Sequence, residues 1–352
     1  MGKAISRVLA GLLVATLWVS AEAVLPTADP NASADARAIL SYLEALPQRA
    51  DHRVVSGQFL GHPMDNYAWA YDKYITQLQQ QTGQWVAMAG ADYERLTSSY
   101  DPVDLSKVNA PLIAHWQQGG LVTISWHARN PWTWGNSRDR KIGKYEDLFR
   151  PGTKANKNWM TQLDRMADAL GELQSAGVTV LWRPLHEGNG KSFWWTQAKK
   201  AQYQVNLWRQ VFDYLTVERG LHNLLWVYSA VPVAKSGRAA DYAYPGDGYV
   251  DIVGVDAYTP ELQIDEDYQT LIRFGKPFML TEFGPVSGSD VENDPSLKDP
   301  HYDYARLIQQ IRQRYPLAVG FQAWNSYWAM VSQLNAKGLL EDPWVINRDG
   351  LD

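Results

Sequence analysis

The sequence predicts an α/β protein, a single-domain (β/α)8 TIM barrel, on three observations. Eight short apolar runs alternate with stretches of helical spacing. Nearly every run ends in polar, chemistry-bearing side chains. No linker, repeat or low-complexity tract divides the chain. The runs are residues 54–60, 85–89, 121–126, 178–182, 224–228, 252–255, 278–280 and 318–323. Each is nearly continuous in apolar residues, as strands buried on both faces of a parallel sheet are.

Helical spacing fills the intervals. Trp159, Leu163, Met166, Ala167, Leu170 and Leu173 form an apolar stripe, and Gly177 follows as a helix stop. Tyr203, Leu207, Val211 and Leu215 repeat the pattern ahead of Gly220, and residues 304–315 do so ahead of Pro316. An open doubly wound sheet would share this alternation, but no GxGxxG or Walker-type phosphate loop follows the first run. A barrel also closes eight strands without leaving an edge. Residues 25–33, with Pro26 and Pro30, read as a short exposed lead-in.

A formal net charge of -5 over 352 residues gives no electrostatic pull toward nucleic acid or an anionic membrane. The unusual abundance is aromatic, 16 Trp and 19 Tyr, and flat apolar faces suit sugar rings. With no Cys there is neither a disulfide framework nor a lipid-modified cysteine. At the N-terminus Lys3 and Arg7 precede an apolar run at 8–19, and Ala21-Glu22-Ala23 offers a small-x-small cleavage site. The expectation is a signal peptide at 1–23 cut after Ala23, a catalytic domain at 24–352, and a secreted or periplasmic protein. The apolar run is short for a bilayer span, and no other segment is long and apolar enough.

The ends of the runs carry the functional argument. They read Gly61-His62, Asp92-Tyr93, Trp126-His127-Ala128-Arg129-Asn130, His186-Glu187, Asp256-Ala257-Tyr258, Thr281-Glu282-Phe283-Gly284 and Trp324-Asn325. A barrel gathers such strand ends at one mouth. Glycosidic bond cleavage needs an acid for the departing oxygen and a second carboxylate for the anomeric carbon. Glu187 and Glu282, on the fourth and seventh runs, would face each other across that mouth. Arg183 is expected to order carboxylates, with Asp92 and Asp256 as hydrogen-bonding supports. Trp132, Trp134, Trp194 and Trp195 are candidate sugar platforms. His62, His127, His186 and a Glu could ligate a metal, but no HxH or HExxH spacing is present, so neither metal nor cofactor is expected.

The run Trp182-Arg183-Pro184-Leu185-His186-Glu187, with Gly190 and Phe193-Trp194-Trp195 beyond it, resembles the acid/base motif of glycoside hydrolase family 26. Most related barrel glycosidases place Asn before the acid, whereas this family places His. Thr281-Glu282-Phe283-Gly284 resembles the family's nucleophile motif, and Val255-Asp256-Ala257-Tyr258 the segment whose Tyr hydrogen-bonds the nucleophile. Ser125-Trp126-His127 resembles the segment whose His contacts the sugar at the cleavage site, and Trp324 the Trp beneath that sugar. The resemblance spans residues 54–345. It implies a retaining mechanism with Glu187 as acid/base and Glu282 as nucleophile, and substrate contacts at His127, His186, Trp194, Trp195, Tyr258 and Trp324. The implied partner is a polysaccharide or oligosaccharide, a β-1,4-mannan first, with β-1,3-xylan or mixed-linkage β-glucan as the alternatives. Trp182, Trp194 and Trp195 would keep Glu187 in apolar surroundings that raise its pKa, while the Tyr258 hydroxyl would favour charge on Glu282. One departure stands out: Lys191-Ser192 lies where family mannanases commonly carry a Trp on the leaving-group side. A non-catalytic carbohydrate-binding protein is the reading from another class, and two intact Glu argue against it.

Overall fold

A chain that alternates buried apolar strands with amphipathic helices can close those strands on themselves, and this one does. The computed structural model describes residues 26–98 and 101–351; the expected leader at 1–23 lies outside them. The ring consists of β1 (Val54–Val55 and Gly57–Phe59), β2 (Met88–Asp92), β3 (Leu121–Trp126), β4 (Val180–Pro184), β5 (Leu224–Ala230), β6 (Ile252–Tyr258), β7 (Phe278–Gly284) and β8 (Ala318–Ala323). All pairings are parallel, and β8 closes the barrel by pairing with both β7 and β1. The result is the expected single-domain (β/α)8 TIM barrel.

A short β9 (Val345–Ile346) pairs with Val54–Val55, and the Arg348 amide donates to the Trp85 carbonyl. The end of the chain thus wedges between β1 and the run expected at 85–89. This is why β2 begins only at Met88, where it meets Gly57. Within the barrel Gly57 and Gly90 are needed for close approach. A Cβ on either would fall within 2.4 Å of the Gln322 side chain, which lies across the interior.

At the bottom, buried side chains from all eight strands join one apolar cluster, among them Val55, Met88, Leu121, Leu181, Leu225, Ile252, Met279 and Val319. Helix Ala34–Ala45 plugs that end with Ala36, Leu40 and Leu43, one face at i, i+4 and i+7. The Ser33 hydroxyl caps the helix, accepting from the Ala36 amide at 3.1 Å. The lead-in expected to be exposed is therefore tied down. Asp29 is buried and accepts from His222 Nδ1 at 2.7 Å, and the Ala28 amide donates to Asp251 at 2.6 Å. Outside the barrel, helix Lys154–Ser175 buries its expected stripe from Trp159 to Leu173, and Gly177 follows at φ 74°. Helices Ala201–Phe212 and Ala305–Arg314 match the other two patterns. Among the described residues no helix is long and apolar enough to cross a membrane.

Candidate active site

Two local irregularities aim the principal carboxylates. The β6–β7 register runs Val255 opposite Leu280 and then Asp256 opposite Glu282, so Thr281 is an extra residue in β7. Such a bulge bends its strand and redirects the next side chain. Beyond β4, Leu185 and Glu187 both adopt left-handed backbone, at φ 47° and 54°. Side chains reach that region only at a cost of about 1–2 kcal/mol each. The turn is fastened by the Trp195 indole, which donates to the His186 carbonyl at 2.9 Å, and by the Gly190 amide, which donates to the Glu187 carbonyl at 2.7 Å.

Glu282 is buried, with both oxygens engaged. Arg183 donates to one, and the Tyr258 hydroxyl donates to the other at 2.5 Å. The same guanidinium binds Asp256 at 2.7 Å, and Asp256 in turn accepts from the Thr281 hydroxyl at 2.7 Å. Burial opposes the Arg183 charge, but Asp256 and Glu282 outweigh it and push its pKa up. Glu187 has a different setting. It sits half-buried in the cleft, and burial, reinforced by the charge of Glu282, pushes its carboxyl up to about 7. One carboxylate is held by a cation and a phenol; the other keeps its proton near neutrality.

Beside them lies a chain of polar groups from β2 to β4. Asp92 accepts from the Ser125 hydroxyl at 2.5 Å, from His127 Nδ1 at 2.6 Å and from the Glu94 amide at 2.9 Å. With its proton on Nδ1, His127 offers Nε2 as an acceptor, and His186 Nε2 faces it at 3.2 Å and must donate. Burial, then the charges of His127 and Arg183, keep the His186 pKa well below its ordinary value. For Asp92, burial opposes the charge, but His127 and His62 hold its carboxyl well below the usual range.

Glu187, Glu282, His127, His186, Tyr258 and Trp324 all line one cleft of about 580 Å³ at the barrel mouth. The other two expected contacts do not. Trp194 and Trp195 are fully buried behind the cleft wall. The Trp194 indole donates to the Ala128 carbonyl at 2.8 Å and packs edge-on to Trp132 and Trp159. Trp195 stacks at 4.4 Å on Phe193, which is the residue that reaches the cleft. Neither indole has a face left for a sugar; Trp195 braces the Glu187 turn, and Trp194 ties its own segment to the one after β3. Trp324 lines the cleft with its ring stacked 4.4 Å from Phe59. Sequence reasoning missed Arg138, Lys235 and Trp328 in the cleft wall, which lie well beyond the ends of their strands. A second Trp four residues after Trp324 was the one available signal.

Among the described residues two groups have metal-like spacing, His62 with Asp92 and His127, and His186 with Asp256 and Glu282. In the second, Arg183 already binds both carboxylates, so the set carries its own cation. In the first, hydrogen bonds from Ser125, His127 and the Glu94 amide already engage Asp92.

A closed barrel whose mouth holds two carboxylates in such unlike settings belongs to the barrel glycosidases. The family follows from comparison: the sequence profile of glycosyl hydrolase family 26 matches residues 28–350, and the chain belongs to that family. It is a glycosidase. It is 37% identical over 338 residues to the mannan endo-1,4-beta-mannosidase A and B of Caldalkalibacillus mannanilyticus, covering 92% of this chain but only 63% of that protein's length. It is 34% identical over 343 residues to the mannan endo-1,4-beta-mannosidase of Bacillus subtilis strain 168, covering 94% of this chain and 90% of the relative. Among solved structures, Bacillus subtilis mannanase man26 superposes with a TM-score of 0.81 at 33% identity, covering 92% of this chain and 96% of that one.

Proposed function

We propose that the protein hydrolyses β-1,4-mannosidic bonds in mannan-type polysaccharides with retention of configuration. The observation that carries this reading is the pair of glutamates in one cleft, Glu187 with its pKa pushed up to about 7 and Glu282 held by Arg183 and Tyr258. Protonated Glu187 gives its proton to the departing glycosidic oxygen while a Glu282 oxygen attacks the anomeric carbon and the C–O bond breaks. Glu187, now a carboxylate, takes a proton from water; the water oxygen attacks the same carbon, and the bond to Glu282 breaks. Each glutamate ends as it began. His127 and His186 line the cleft beside the sugar as neutral imidazoles, and Trp324 supplies a flat floor.

The names of the relatives support mannan over β-1,3-xylan and mixed-linkage β-glucan. Reducing-sugar release from the three polymers checks this, with mannan expected to be cut fastest. Glu282→Ala and Glu187→Ala should each lose most activity. Azide should rescue only the Glu282 variant, because it can fill the nucleophile's place directly. Hydrolysis near the wild-type rate by either variant would overturn the mechanism, and equal polymer binding without turnover by wild type and Glu282→Ala would indicate a binding protein. Export follows from the leader read at 1–23; N-terminal sequencing of the mature protein should begin at Val24.

A further inference from the structure

The wall of the cleft beside Glu187 has an unexpected composition. Arg138, Lys191 and Lys235 come from the segments that follow β3, β4 and β5, and all three line the cleft with exposed side chains. Among the described residues none makes an ion pair with a carboxylate. Lys235 Nζ donates to the Tyr258 carbonyl at 3.2 Å, and among the described residues the Arg138 and Lys191 side chains make no hydrogen bond. Lys191 reaches the segment that carries Lys235, since a Cβ on Gly237 would lie 3.9 Å from Lys191 Nζ.

The half-buried aromatic rings of the cleft, Tyr258 and Trp328, lie together, 5.3 Å apart, where Tyr258 holds Glu282. On the wall shared by Glu187, Lys191, Ser192 and Lys235 the aromatic ring is Phe193, which is buried, and the exposed groups are the two ammonium groups and a hydroxyl. Two further carboxylates lie near, Glu292 in the cleft lining and Asp290 acting on Lys235, but among the described residues neither forms an ion pair with the three cations. Glu187 carries its proton when it meets substrate, and Asp256 and Glu282 already share Arg183.

Resting on the mannan-hydrolase reading above, we propose that the leaving-group side of the cleft binds the carboxylate of a uronic-acid unit in the polysaccharide. The acid protonates the departing oxygen, so the departing segment lies along its wall, and Lys191 with Arg138 and Lys235 receives that segment's charge. Guanidinium and ammonium groups donate to a carboxylate without needing a stacking face.

The test compares kcat/KM for a neutral manno-oligosaccharide with that for one of equal length carrying a uronic-acid unit on the reducing-end side of the scissile bond. Wild type should prefer the acidic substrate about tenfold at low salt, the scale of two exposed charge pairs, and the preference should shrink as salt screens them. Lys191→Ala should cut the ratio about threefold, and Lys191→Glu should bring it to one or below. Cleavage of the neutral substrate with no preference for the acidic one, or a ratio unmoved by Lys191→Glu, overturns the carboxylate subsite and leaves the mannan reading standing. Failure to cleave either oligosaccharide overturns both.

Discussion

Holding Glu187 protonated near neutrality should make the fold itself sensitive to pH, and Glu187→Gln isolates that sensitivity. The carboxyl is lifted from its ordinary 4.5 to about 7 by burial and by the charge of Glu282. The folded state therefore binds this proton more tightly than the unfolded chain. The resulting stability is fully present below the unfolded value and is lost as pH rises through about 7. A gap of about 2.5 units corresponds to about 3 kcal/mol at its limit, of which about 2.5 kcal/mol falls between pH 5 and pH 8. Gln keeps the side-chain shape and has nothing to titrate, so the variant lacks this term. In urea unfolding followed by Trp fluorescence, the stability of Glu187→Gln relative to wild type should rise by about 2 kcal/mol from pH 5 to pH 8, allowing for partial exposure. A difference that stays level across that range would show that Glu187 is not held protonated, and the assignment of the acid would lose its physical basis.

Tyr258→Phe removes the 2.5 Å hydrogen bond to Glu282 and should lower kcat/KM on manno-oligosaccharides about 10–100-fold, the worth of a bond to a charged group. A loss under threefold would mean the hydroxyl is idle. Asp92→Asn takes away the anion that opposes the effect of burial on His62 and lifts its pKa; the His62 resonances should titrate at lower pH in the variant, and an unmoved titration would disprove the coupling. Trp194→Ala opens a void behind the cleft and strips the Ala128 carbonyl of its indole partner. It should cost about 3–5 kcal/mol in denaturant unfolding while KM stays close to wild type. A large rise in KM at unchanged stability would return Trp194 to the sugar-binding surface.

The sequence showed where strands begin better than where they end. β6 runs to Tyr258 and β7 to Gly284, past the apolar cores at 252–255 and 278–280, because the residues that extend them are the polar ones of the site. A pattern of buried apolar residues stops where chemistry starts. The carboxylates, histidines and Tyr258 were legible for the same reason: polar groups at the end of a buried strand have no packing role to explain them. Trp194 and Trp195 were not, since a ring that stacks on sugar and one that fills a core leave the same letter in the sequence, and only burial separates them. Helix Ala34–Ala45 left a readable signal in Ser33 followed by Ala36, Leu40 and Leu43, but its place beneath the barrel depends on an apolar cluster built from residues far apart in the chain.

The relation between the two glutamates depends on a tie that the backbone does not supply. β4 and β7 are separated in the ring by β5 and β6, so no strand ladder fixes Glu187 against Glu282. Arg183 crosses the mouth instead. It is buried on β4, four residues before Glu187, and reaches both Asp256 on β6 and Glu282 on β7. A guanidinium suits this role because its planar donors can satisfy two carboxylates at once, where an ammonium acts as a point charge. The bulge at Thr281 and the left-handed turn at Glu187 would each let a side chain swing. Their cost is tolerated because the guanidinium on one side and the Trp195 indole on the other hold both ends of the arrangement. The apolar cluster beneath, shared with helix Ala34–Ala45, supplies the stability that lets the mouth keep such strained and charged groups in register.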